Sequence, residues 1–98
     1  KCADEDDVDP QTVAALFSNR AAACMALNAF GDALRDGCAA AALRPDWVKG
    51  HVRVALALRA LNLPREAIAA YHSALRCKPG DADLNLGLCD AVQEASSR

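Results

Sequence analysis

Aromatic side chains are scarce in this chain of 98 residues, which holds one Trp, one Tyr and two Phe. A core without aromatic bulk favours closely packed helices over a thick sandwich. Few residues are β-branched and no apolar/polar alternation runs through the sequence, which argues against strands. No apolar stretch is long enough to cross a membrane, and no N-x-S/T acceptor occurs. Five cysteines are scattered without a C-x-x-C, so neither a zinc site nor a redox pair is indicated. There is no Gly-rich phosphate loop, no H-E-x-x-H, and no Ser or Cys with a base and an orienter in place. An enzyme reading therefore lacks its parts, and no cofactor or metal is expected.

What the chain does have is alanine and leucine. Hydrophobic residues make up 53% of it, and most of that mass is these two strong helix formers. Three of the cysteines stand where a small buried apolar residue is expected, the behaviour of a reduced thiol in a compartment such as cytosol or nucleus. The net charge of −2 divides unevenly: residues 1–13 carry one Lys against five acids, and residues 14–98 carry ten Lys/Arg against eight acids. The first stretch reads as an acidic linker and the body as mildly basic. The chain begins with Lys rather than Met and reads as a fragment.

A self-comparison offset by 34 positions superimposes Ala21 on Ala55, Ala23 on Ala57 and Ala26 on Ala60. The same offset lays Leu27-Asn28 on Leu61-Asn62, Ala33 on Ala67, Ala40 on Ala74 and Pro45 on Pro79. Small residues, a helix-ending pair and a terminal proline are what a stacked helical array repeats. Two units follow, 14–47 and 48–81, each of two helices, and then a last helix within 82–98. Helices are predicted over about 12–27, 32–43, 47–61, 64–77 and 82–96. Asp46 is placed as an N-cap, and Pro64 suits a first turn. Ala at 21, 33 and 40, and at 55, 67 and 74, fits helix contacts where a larger side chain would overpack by roughly 1–3 kcal/mol. The pairing of Gly37 with Tyr71 across the repeat has no explanation at this level.

Stacked helix pairs curve, and the first helix of each unit lines the inner face. Asn19 and Arg53 occupy equivalent positions there, and Lys49 lies one turn before Arg53. Two cations at that spacing repel by about 0.2–0.5 kcal/mol, and a mid-helix Asn is a poor helix former. Three locally unfavourable polar residues on one groove suggest an anion between them: Arg offers a fork to a carboxylate, Lys a point charge, Asn an amide donor. Solvated surface charges are the competing account, and spacing alone leaves both open. His51 is read as packing against the groove wall rather than ligating a metal, and His72 has no assigned role. Trp47 is read as a packing residue. Arg20 and Arg59 are read as solvated arginines beside the basic strip.

The small-Ala-Ala-Pro pattern resembles the tetratricopeptide repeat (TPR) family over about residues 14–98. Phe-Ser-Asn-Arg-Ala-Ala-Ala-Cys (17–24) and Asp-Trp-Val-Lys-Gly-His-Val-Arg (46–53) resemble the second and third repeats of chaperone-binding TPR domains, such as that of Hsp-organising protein. The resemblance implies an all-α, right-handed helix-turn-helix solenoid of two repeats plus a capping helix. It also implies a cytoplasmic co-chaperone module. In the family, the positions of Asn19, Lys49 and Arg53 belong to a carboxylate clamp for the Glu-Glu-Val-Asp tail of heat-shock chaperones of the seventy- or ninety-kilodalton class. The family clamp draws a further Lys and Asn from a first repeat, which nothing in this chain matches, so at most three of five positions are present. Lys1-Cys2-Ala3 and Val8-Asp9-Pro10 read as the last turn and Asp-Pro terminus of that preceding repeat. The alternative is a structural scaffold that self-associates through an exposed repeat edge or serves as the adaptor half of a larger enzyme. Nucleic-acid binding is disfavoured by the small positive excess of the repeats.

Overall fold

The computed structural model describes residues 9–97. The acidic run 4–7 and the Lys1-Cys2-Ala3 and Val8 parts of the proposed repeat remnant lie outside them. Among the described residues five helices follow one another, α1 (Pro10–Ala26), α2 (Phe30–Leu43), α3 (Val48–Ala60), α4 (Pro64–Cys77) and α5 (Ala82–Ser96), and there is no strand. Each packs on the next, and α1 also packs on α3. This is the all-α repeat array that the period predicts.

The repeated Leu-Asn pair has a local cause. Asn28 and Asn62 adopt left-handed backbone, with φ of 62° and 70°. After α1, Asn28 N–H donates to Met25 O (3.1 Å) and Ala29 N–H to Cys24 O (2.8 Å). After α3, Asn62 N–H donates to Arg59 O (3.0 Å) and Leu63 N–H to Leu58 O (2.8 Å). Both are Schellman caps, in which one left-handed residue satisfies the last carbonyls and reverses the chain. Asn tolerates that conformation better than most residues.

Two predicted ends shift. Pro10 opens α1 at its first turn, behind Asp9, whose carboxylate accepts from Thr12 N–H at 2.7 Å. It therefore starts a helix two residues earlier than predicted. Asp46 is not the cap of α3. Trp47 N–H donates to Arg44 O (3.0 Å), closing a turn with Pro45 and Asp46 at its centre, so Trp47 takes the cap position without a side-chain bond. The Trp47 ring packs under Arg44, whose guanidinium carbon lies 5.2 Å from the ring centroid.

The core is a seam of small residues. Ala21, Ala33, Ala40, Ala55, Ala67 and Ala74 are all inaccessible to solvent. At Gly50 a Cβ would lie 2.9 Å from Ala41 N and 3.0 Å from Ala41 Cα, so α3 meets the α2 backbone where only hydrogen fits. The Gly37/Tyr71 difference resolves into an exchange of partners. In the first unit Gly37 admits α3, and a Cβ there would stand 3.2 Å from Arg53 Cβ. In the second unit the bulk sits on the other side. The buried Tyr71 ring fills the space over Gly87, where a Cβ would meet ring atoms at 2.7 Å. Gly87 is the repeat equivalent of Arg53, so each interface has one large and one absent side chain.

The cysteines depart from expectation. Of the four described, Cys24 and Cys77 are half-buried, and Cys38 and Cys89 are exposed. The half-buried pair point their thiols at oxygens, Cys24 at Asp36 Oδ2 (4.0 Å) and Cys77 at Pro45 O (3.4 Å). Cys2 lies outside the described residues.

Gly50→Leu is expected to lower stability by about 3 kcal/mol through overpacking. Gly31→Ala, with nothing within 4 Å of its added Cβ, is expected to gain up to about 1 kcal/mol. Urea unfolding midpoints measure both. Asp81 caps α5, accepting from Leu84 N–H at 3.1 Å, with Lys78 Nζ 3.3 Å away. The Leu84 amide first, and then Lys78, hold its carboxyl below the ordinary value. A depressed folded-state pKa stabilises the fold above the unfolded-state value and is lost as pH falls through the folded one. Asp81→Asn keeps a capping oxygen without the charge. It should melt below wild type at pH 6, and the gap should close as pH falls toward 2, as read by circular dichroism.

Candidate functional site

Helix register puts Asn19 on α1, and Lys49 and Arg53 on α3. Because α1 and α3 pack directly on each other, the first helices of the two units lie side by side. Asn19 and Lys49 are exposed and Arg53 is half-buried. Among the described residues, neither Lys49 nor Arg53 forms an ion pair, and Asn19 and Lys49 have no hydrogen-bond partner from another side chain.

Arg53 does reach α1, but its contact is the neighbour of Asn19. Its Nε–H donates to Ser18 Oγ at 3.3 Å, and Ser18 is buried with 1% of its surface exposed. The interaction uses the stem side of the guanidinium and leaves the two terminal nitrogens free. The sequence reading overlooked Ser18. Its signal was a hydroxyl at a position where the next units carry Val52 and Leu86.

Other expected residues separate from this face. His51 is two positions from Arg53, which is about 200° around the helix. It lines a cleft of about 330 Å³ between α2 and α4 with Cys38, Ala41 and Ser73. Its Nε2–H donates to Pro45 O at 2.7 Å, which fixes the tautomer, because a carbonyl only accepts. It packs against a groove wall, but of the outer cleft rather than of the Arg53 face. His72 is exposed.

Of the two flanking arginines, Arg20 is solvent-exposed as expected but has a counter-charge, and Arg59 is not a solvated strip residue. Arg59 forks onto the α5 carboxylate of Glu94, with Nη2–Oε2 at 2.7 Å and Nε–Oε1 at 3.3 Å, and its Nη1–H donates to Tyr71 Oη at 3.3 Å. Asp90 Oδ2 stands 3.9 Å away. The bonds to Glu94, then to Tyr71, raise its pKa further and keep it charged. It ties α3 to both later helices. Arg20 Nε sits 3.5 Å from the buried Asp36 carboxylate and its head lies over Phe17, 5.8 Å from the ring centroid. Both cations are neutralised, which leaves Lys49 and Arg53 as the unpaired positive charges of the inner helices among the described residues.

No group of His, Cys, Asp and Glu suited to a metal ion occurs among the described residues. None of the described helices is long and apolar enough to cross a membrane.

No protein-family model matches the chain. Known proteins do. The chain is 38% identical over 82 residues to the Hsp70-Hsp90 organizing protein of Triticum aestivum, a match covering 84% of this chain and 14% of that protein. It is 36% identical over 91 residues to Tetratricopeptide repeat protein 28 of Homo sapiens, covering 93% of this chain and 4% of the relative. Protein STIP1 homolog of Dictyostelium discoideum is 38% identical over 92 residues, with 93% and 16% covered. The chain thus spans a small part of each relative's length. Among solved structures, an Arabidopsis OM64 TPR domain superimposes with a TM-score of 0.77 at 28% identity, covering 82% of this chain and 66% of that one. Repeat period, consecutive helix packing, Schellman-capped turns and these likenesses together place the chain in the tetratricopeptide repeat family.

Proposed function

We propose that this chain is a non-catalytic, cytoplasmic protein-interaction module whose inner face grips an acidic C-terminal peptide. Lys49 and Arg53 carry the reading: they are two cations without counter-charges among the described residues, on the helix that packs beside α1, which carries Asn19. Leaving two such charges unpaired costs a little in the free protein and is offset when an anion binds. Arg53 supplies a two-pronged donor to a carboxylate, Lys49 a point charge and Asn19 an amide hydrogen. A chain terminus with an adjacent Asp side chain presents two carboxylates close together, which suits three converging donors.

The likeness to a wheat protein named for organizing Hsp70 and Hsp90, and to a Schizosaccharomyces pombe heat shock protein sti1 homolog, supports a chaperone tail of the Glu-Glu-Val-Asp type as the ligand. A repeat upstream of α1 would complete the clamp.

A second reading rests on the two ends of the array. Leu16 on α1 is 57% exposed, and Leu86 and Val92 on α5 are 64% and 44% exposed. Apolar faces at both ends suit self-association or docking of a further subunit. Light scattering across a concentration series tests self-association: a mass that rises with concentration supports assembly through the ends, and a constant monomer mass removes self-association.

The clamp is tested by titrating the chain with a fluorescent peptide ending in Glu-Glu-Val-Asp, against the same peptide amidated at its C-terminus. The free acid is expected to bind, amidation to abolish binding, and added salt to weaken it. Arg53→Ala should cost roughly 1.5–3 kcal/mol of binding free energy, the range of a charge-assisted hydrogen bond. Equal binding of acid and amide would remove the clamp reading.

A further inference from the structure

We propose that Ser18 is a positioning residue for Arg53, presetting its guanidinium so that the terminal nitrogens meet the ligand carboxylate end-on; this rests on the clamp reading above.

Ser18 is a polar residue at a core position. The equivalent residues of the following units are Val52 and Leu86. With 1% exposure, its hydroxyl has left water, a cost that an aliphatic side chain would not incur. The hydroxyl oxygen spends that position on a side chain from the neighbouring unit, accepting from Arg53 Nε–H at 3.3 Å.

The base of Arg53 is held as well. A Cβ on Gly37 would stand 3.2 Å from Arg53 Cβ and 3.1 Å from Val54 N, so α2 presses against the root of the side chain. Arg53 is therefore fixed at its Cβ by packing and at its Nε by one hydrogen bond. Both fixed points lie before the end of the side chain. The terminal nitrogens have no partner among the described residues, and they form the remaining face of the fork able to bond a carboxylate with two parallel hydrogens.

An arginine tethered in this way loses less rotamer freedom on binding than a free one, which is how preorganisation raises affinity. The anchor also requires arginine. A lysine at 53 has no nitrogen at the Nε position, so it would lack both the tether and the fork.

The experiment combines peptide affinity with a signature of the anchor in the free protein. Ser18→Ala is expected to weaken the free-acid peptide roughly three- to tenfold, the scale of one net hydrogen bond. Ser18→Val, the repeat's own residue, should do the same, and Ser18→Thr should restore most of the affinity. The melting temperature of each variant checks that the fold is kept. In a proton–nitrogen correlation spectrum the Arg53 Nε–H, assigned by its loss in Arg53→Lys, should exchange slowly in wild type and rapidly in Ser18→Ala. Wild-type binding that is unchanged in both Ser18→Ala and Ser18→Val would overturn the positioning role alone. An Nε–H that exchanges rapidly in wild type would also overturn it. Absence of wild-type binding at low salt would overturn the clamp reading, and the positioning role with it.

Discussion

Successive helices in this array approach until backbone meets backbone, and the remaining features depend on that distance. At Gly50 and Gly37 the second and third helices come so close that a single added methyl would touch main-chain atoms. The buried alanines extend the same seam through both units. Apolar area per residue is small in such a core, so dispersion at short range has to supply what aromatic bulk would otherwise give. A seam of this kind fixes the registry of each helix against the next, because few other registries avoid a clash.

The fixed registry is what brings a side chain from one unit to a side chain of another. Ser18 and Arg53 are 35 residues apart, as are Arg59 and Glu94. The two contacts do different work. Arg59 is wholly occupied in tying α3 to α4 and α5, through Tyr71 and Glu94. Arg53 has only its stem engaged. One arginine stabilises the stack and the other is stiffened at its root while its tip stays available.

The repeat is also varied in a way that matters for the site. Asn19, Arg53 and Gly87 share one position in three successive inner helices. At the first interface a glycine on the outer helix leaves room for Arg53; at the second, Tyr71 fills that space and Gly87 yields. Arginine and tyrosine could not both occupy one interface at this spacing. The last helix therefore carries no side chain at this position, and among the described residues the unpaired cations of the units' first helices, Lys49 and Arg53, both lie on α3.

The sequence alone determined the fold class, the five helices and the period of 34, because spacing of small residues, prolines and the Leu-Asn pair is local chemistry written at fixed intervals. It also set Asn19, Lys49 and Arg53 on the same kind of helix face, since helical geometry converts spacing into direction. It could not show that Asp46 sits inside a turn, since that depends on a hydrogen bond from Trp47 to Arg44. Nor could it tell a solvated arginine from a paired one: Arg20, Arg53 and Arg59 look alike in sequence, and their partners Asp36, Ser18 and Glu94 are 16 to 35 residues distant. Only tertiary packing chose those partners, because which polar atoms meet is settled by how closely the alanine and glycine seams let the helices approach.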